Sequence, residues 1–77
     1  MTNYRIMIDT TGLKCPLPVL KVRKDIKVLE KHDVALIIAD DPLAEIDLRH
    51  FCTLKGYTIC SVSKSYKDEK QYYEIKY

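Results

Sequence analysis

Several features that mark large protein classes are missing from this chain. No apolar run approaches the roughly 20 residues needed to cross a bilayer. The opening stretch, Met1-Thr2-Asn3-Tyr4-Arg5, holds no apolar signal segment. A cytoplasmic chain with no membrane engagement is therefore expected. Cysteine is scarce: Cys15, Cys52 and Cys60 are an odd set of three, which does not build a disulfide framework. Their spacing is not that of a structural zinc site, and His32 and His50 do not supply the missing ligands. No metal and no cofactor are expected. Excess charge of one sign is also lacking. A formal net charge of +2 suits an acidic protein surface but not tight, direct nucleic-acid binding. No repeat, low-complexity tract or linker divides the 77 residues. That length makes one small domain, 1–77, with no clear cradle for a small-molecule substrate.

What is present is a regular alternation of patterns. Tyr4, Ile6 and Ile8 alternate with Arg5, Met7 and Asp9 and predict a first strand. Residues 16–30 predict a helix, with Val19, Val22, Ile26 and Leu29 on its sheet side and Lys21, Arg23, Lys24 and Lys27 leaving the rest basic. His32-Asp33 close a turn into the run 34–39, apolar on both faces and so suited to an inner strand. Asp41 as cap and Pro42 as first residue predict a second helix carrying Ala44, Leu48, Phe51, Cys52 and Leu54, stopped at Lys55-Gly56. Tyr57, Ile59, Cys60 and Val62 predict a third strand with imperfect alternation. After a polar connection at 63–70, Tyr73, Ile75 and Tyr77 predict a fourth, with Tyr72 pointing outward. The order β-α-β-α-β-β predicts an α/β (α+β) two-layer sandwich: a four-stranded mixed sheet with two helices on one face.

The chemistry concentrates at Thr11-Gly12-Leu13-Lys14-Cys15-Pro16-Leu17-Pro18. Pro16 fits the first helical position, where no backbone N–H is needed, and Pro18 still lies in the first turn. Cys15 then falls at the N-cap, where free N–H groups and the helix dipole favour a thiolate or persulfide anion. Gly12 permits a tight turn, and Asp9 is read as an acceptor for backbone amides of the loop. Lys14 would add positive potential. No Cys–His–Asp triad is evident, so the chain is expected to work with partner enzymes rather than alone.

Asp9, Gly12, Leu13, Cys15, Pro16, Pro18 and Lys24, followed by Ile38-Ala39-Asp40-Asp41-Pro42-Leu43-Ala44, Asp47, Phe51-Cys52 and Gly56, resemble the TusA/SirA-like sulfur carrier family over nearly the whole chain. The resemblance implies a two-layer sandwich with this element order. It implies that Cys15 accepts sulfane sulfur from a cysteine desulfurase as a persulfide and passes it to a downstream sulfur relay protein, in the formation of wobble 2-thiouridine in tRNA. Related members supply molybdenum cofactor maturation and other sulfur pathways, which keeps that alternative open. A regulatory binding module with an incidental thiol is the reading from a different class. The resemblance also makes Lys14, Lys21, Arg23, Lys24 and Lys27 partner-binding candidates, although on composition alone they only solvate a helix. Cys52 and Cys60 are read as packing residues. Where many family members carry glycine before the second strand, this chain has Lys31-His32-Asp33, and the connection before the final strand also lacks the common glycine.

Overall fold

The computed structural model describes residues 4–77. Residues 1–3, part of the stretch read above as free of a signal segment, lie outside the described residues. The elements are β1 (Ile6–Asp9), α1 (Leu17–Asp25) continued by a 3-10 turn (Ile26–Val28), β2 (Val34–Ala39), α2 (Ala44–Lys55), β3 (Thr58–Lys64) and β4 (Gln71–Lys76). One four-stranded sheet has the order β1-β2-β4-β3. β1 runs parallel to β2, and the other two pairings are antiparallel, so the sheet is mixed as the sequence predicts.

Register explains why the pattern folds this way. Two apolar rows cross all four strands: Ile8–Ile37–Tyr73–Val62 and Ile6–Ala35–Ile75–Ile59. Period-two alternation sends both rows to one face, and both helices cover it. Val22 and Ile26 from the first helical segment, with Leu48, Phe51 and Cys52 from α2, join Ile8, Ala35, Ile37, Tyr73 and Ile75 in one buried cluster. Each fully buried aliphatic side chain contributes about 1.5–3 kcal/mol relative to exposure.

β2 is an inner strand, between β1 and β4. Its covered face is Ala35, Ile37 and Ala39, all buried, while Val34, Leu36 and Ile38 are half-buried in the middle of the open face. The second apolar face therefore reflects a central position in the sheet, not a second layer of helices.

The imperfect alternation of β3 has a specific cause. Ile59 and Val62 are three apart, an odd interval that a regular strand would send to opposite faces. A register shift between Ile59 and Ser61 absorbs Cys60 as an extra residue, and both apolar side chains pack on the core. Cys60 is thereby exposed, which corrects its reading as a packing residue. Cys52 is buried, and burial pushes its thiol up to about 11.

Both helices start later than predicted. α1 has Pro16 as its N-cap and Pro18 in its first turn. α2 has Leu43 as its N-cap. Asp41 stands two residues before that cap and serves it from there: its carboxylate accepts the Leu43 N–H at 3.2 Å, and its carbonyl accepts the Ala44 N–H at 3.0 Å. The far end of α2 matches the sequence. Gly56 takes φ +80 and its N–H closes on the Cys52 carbonyl. Leu54, expected in the apolar stripe of α2, is 67% exposed.

Candidate functional site

The segment between β1 and α1 is built from short-range turns pinned to the end of β2. Thr10 is buried and directs both its N–H and its hydroxyl to the Ile38 carbonyl, at 2.7 and 2.8 Å. The Asp9 carboxylate accepts the Thr11 N–H at 2.9 Å and the Thr11 hydroxyl at 2.7 Å, and these bonds hold its pKa below the usual carboxylate value. Gly12 takes φ +84 and donates its N–H to the Asp40 carboxylate at 3.0 Å. The Leu17 N–H then closes onto the Lys14 carbonyl at 2.7 Å, a turn with Cys15 and Pro16 at its centre and a cis peptide between them.

Because this turn precedes the helix, Cys15 lies one residue outside the N-cap. Its hydrogen-bond partner at Sγ is a side chain rather than one of the free helical N–H groups that the sequence pattern suggests. Its surroundings come from the other helix instead. The Cys15 N–H donates to the Asp41 carboxylate, and Sγ donates to Oδ2 of Asp47 at 2.9 Å. The hydrogen bond to Asp47, partial desolvation, and the charges of Asp47 and Asp41 together raise the thiol pKa. The expected bias toward thiolate is therefore not met: the neighbouring carboxylates favour the neutral thiol. Lys14 is exposed and does not line the groove beside the sulfur.

Asp41 is held from behind. Only 5% exposed, it offers its carbonyl to Nε2 of Gln71 at 3.1 Å, and Oε1 of Gln71 accepts the Tyr73 hydroxyl at 2.5 Å. A buried polar chain thus runs from β4 through Asp41 to the backbone of Cys15. Pro18, three residues beyond the cysteine, is fully buried.

Beside Cys15 lies an open groove of about 530 Å³ between the helices. Pro16, Val19 and Leu20 form one wall and Ile46, Phe51 and Leu54 the other, with Arg23, His50 and Lys55 on the rim. Leu20, Ile46 and Leu54 are largely exposed, an apolar surface beside a thiol. The basic residues proposed for partners divide. Arg23 faces this groove, and Lys27 lies with Arg23 and Lys55 near Tyr57 and Tyr77. Lys21 and Lys24 lie on the opposite flank of α1, near Leu13 and Leu17, where the Lys21 ammonium donates to the Asp9 carbonyl at 3.0 Å.

Sequence reasoning did not assign Asp41 and Asp47 to the sulfur. Both belong to the stretch that carries the resemblance, but local pattern gives Asp41 a sufficient role as a helix cap and Asp47 a sufficient role as a first-turn acid. Their separations from Cys15, 26 and 32 residues, are tertiary facts.

No helix among the described residues is long and apolar enough to cross a membrane. The family model for the sulfurtransferase TusA matches residues 6–76, every element from β1 to β4. A crystal structure of a SirA-like protein from Desulfitobacterium hafniense superposes with a TM-score of 0.77 at 22% identity, covering 92% of this chain and 95% of that one. At that identity the likeness shows the fold: the same two-layer arrangement. With the family match running through Cys15-Pro16-Leu17-Pro18 and across the whole sandwich, the chain belongs to the TusA family of sulfur carriers and sulfurtransferases.

Proposed function

We propose that this chain carries sulfane sulfur as a persulfide on Cys15, takes it from a cysteine desulfurase, and hands it to a downstream relay protein for wobble 2-thiouridine synthesis in tRNA. One observation carries the reading: an exposed Sγ on a turn pinned at both ends, beside a partly apolar groove with a cationic rim. A carrier needs its sulfur reachable by two successive proteins, and a surface by which they dock. Arg23 and Lys55 on the rim suit an acidic partner, while Lys27 extends the same field. Lys14, Lys21 and Lys24 contribute more diffuse attraction from outside the groove.

The transfer balances without a cofactor on this chain. The Cys15 thiolate attacks the terminal sulfur of the donor persulfide. A bond forms between Sγ and that sulfur, the donor's S–S bond breaks, and the donor cysteine leaves as thiolate. The terminal proton travels with the transferred sulfur. An acceptor thiolate later repeats the step on the loaded carrier. Asp9, Gly12, Pro16 and Pro18 act by holding the turn, and Asp9 accepts amide hydrogen bonds rather than moving protons.

The test incubates the reduced protein with a cysteine desulfurase, cysteine and pyridoxal phosphate, followed by intact mass and peptide mapping. The expected result is a DTT-reversible gain of about one sulfur atom on Cys15, absent in Cys15→Ser, as thiol exchange requires. Absence of loading by a panel of competent desulfurases would overturn the carrier reading. Loading on exposed Cys60 would move the site. Transfer from the loaded form then separates a tRNA-directed acceptor from one serving molybdenum cofactor maturation.

A further inference from the structure

We propose that Asp47 is a positioning residue for the carrier sulfur, holding the unloaded Cys15 as a hydrogen-bonded neutral thiol and so restraining it until a partner intervenes. The inference rests on Cys15 being the sulfur-bearing residue.

An acid in the first turn of a helix ordinarily complements the dipole and the free N–H groups. α2 has two such acids, Glu45 and Asp47, and they are treated differently. Glu45 is neutralised by Arg49 at 2.9 Å and Lys64 at 3.1 Å. Asp47 has no ion pair among the described residues, and its Oδ2 accepts the Cys15 Sγ–H at 2.9 Å. With the Asp47 carboxylate as acceptor, the proton of this contact is on sulfur.

The other charged groups around Cys15 do not cancel this arrangement. From the loop before α2, the Asp41 carboxylate takes the Cys15 N–H and adds negative charge. The cationic Arg23 of α1 and Lys55 of α2, with the titratable His50, stand on the groove rim. Lys14 projects from the loop into solvent. Asp47 is the group that meets the sulfur directly.

Two chemical consequences follow. The free carrier is a weak nucleophile toward stray electrophiles, because attack requires the thiolate and the Sγ–H hydrogen bond to Asp47 must first be given up. A docking partner that gives Asp47 another hydrogen-bond donor removes the restraint, and activation then coincides with docking. Loading also dissolves the contact, since Sγ of a persulfide is bonded to Cβ and to the terminal sulfur and carries no proton.

The experiment follows iodoacetamide alkylation of the Cys15 peptide in the reduced, folded protein from roughly pH 6 to 11, resolved by mass spectrometry. Asp47→Asn should move the inflection to lower pH and speed neutral-pH alkylation about threefold or more. That figure allows for the lower intrinsic nucleophilicity of a more acidic thiol. Asp47→Glu should move it back toward wild type, which a purely structural role would not predict. A companion measurement needs no variant: in the native protein the Cys15 inflection should lie above that of the same protein unfolded in urea. An unchanged profile in folded Asp47→Asn, or a native inflection at or below the unfolded one, would overturn the assignment. If the profile shifts as expected but the wild type takes no sulfur from a desulfurase, the carrier reading fails while the hydrogen-bond role stands.

Discussion

His32 and Glu69 are the non-glycine residues with positive φ among the described residues, at +76 and +59. They occupy the turns before β2 and before β4, the two regions where the resemblance leads one to expect a glycine. A side chain in that left-handed conformation costs about 1–2 kcal/mol. The His32 turn is nevertheless tight: the His32 N–H reaches the Tyr77 carbonyl at 3.2 Å and the Asp33 N–H reaches the Glu30 carbonyl at 2.9 Å. Relief of strain should exceed the greater chain entropy that glycine brings to the unfolded state. His32→Gly is therefore expected to stabilise the protein by about 0.5–1 kcal/mol, read from the urea midpoint at unchanged slope. A lower midpoint would mean that the imidazole contributes more than its backbone conformation costs.

At the scale of elements, α2 has two sides with different work. Leu48 on the inner side is fully buried, whereas Ile46 and Leu54 on the outer side are each 67% exposed along the groove. Leu48→Ala should cost about 2–5 kcal/mol by leaving a cavity, while Leu54→Ala should stay within about 0.5 kcal/mol in stability. Chemical denaturation of the pair checks this; equal losses would mean that the outer residues belong to the core. The same helix shows where sequence is readable. Its end was legible because Lys55-Gly56 is a local signal. Its beginning slipped by two residues, with Asp41 bonded across to Cys15 as well as to its own turn. In β3 the spacing of Ile59 and Val62 betrayed an irregularity, but the bulge becomes visible only through pairing with β4. Sheet type and the buried residues of the helices from Val22 to Cys52 were readable from period and punctuation, whereas the exact helix starts beside Cys15 and Asp41 were not. The carboxylates around the sulfur were not, since periodicity carries no information about which loop meets which helix.

Across the whole molecule, the buried cluster holds groups that must stay neutral. Burial raises Cys52 from 9.0 to about 11 and Tyr73 from 10.0 to about 12. Groups with folded-state pKa values above their unfolded ones give their full stabilisation below the unfolded pKa and lose it as pH rises through the folded pKa. Thermal stability should accordingly fall between about pH 9 and 12, by on the order of 10 °C. Cys52→Ala should remove the earliest part of that fall in a Tm-against-pH series, and a flat profile over the range would refute the assignment. The buried polar chain from Tyr73 through Gln71 and Asp41 to the Cys15 amide has a consequence in time as well as in space. Its far end is in β4, the C-terminal strand of the sheet. Until that strand has paired with β2, nothing braces Asp41 from behind. The turn that holds Cys15 thus borrows its rigidity from the strand farthest from it in the sequence, and its final shape waits on closure of the whole sheet.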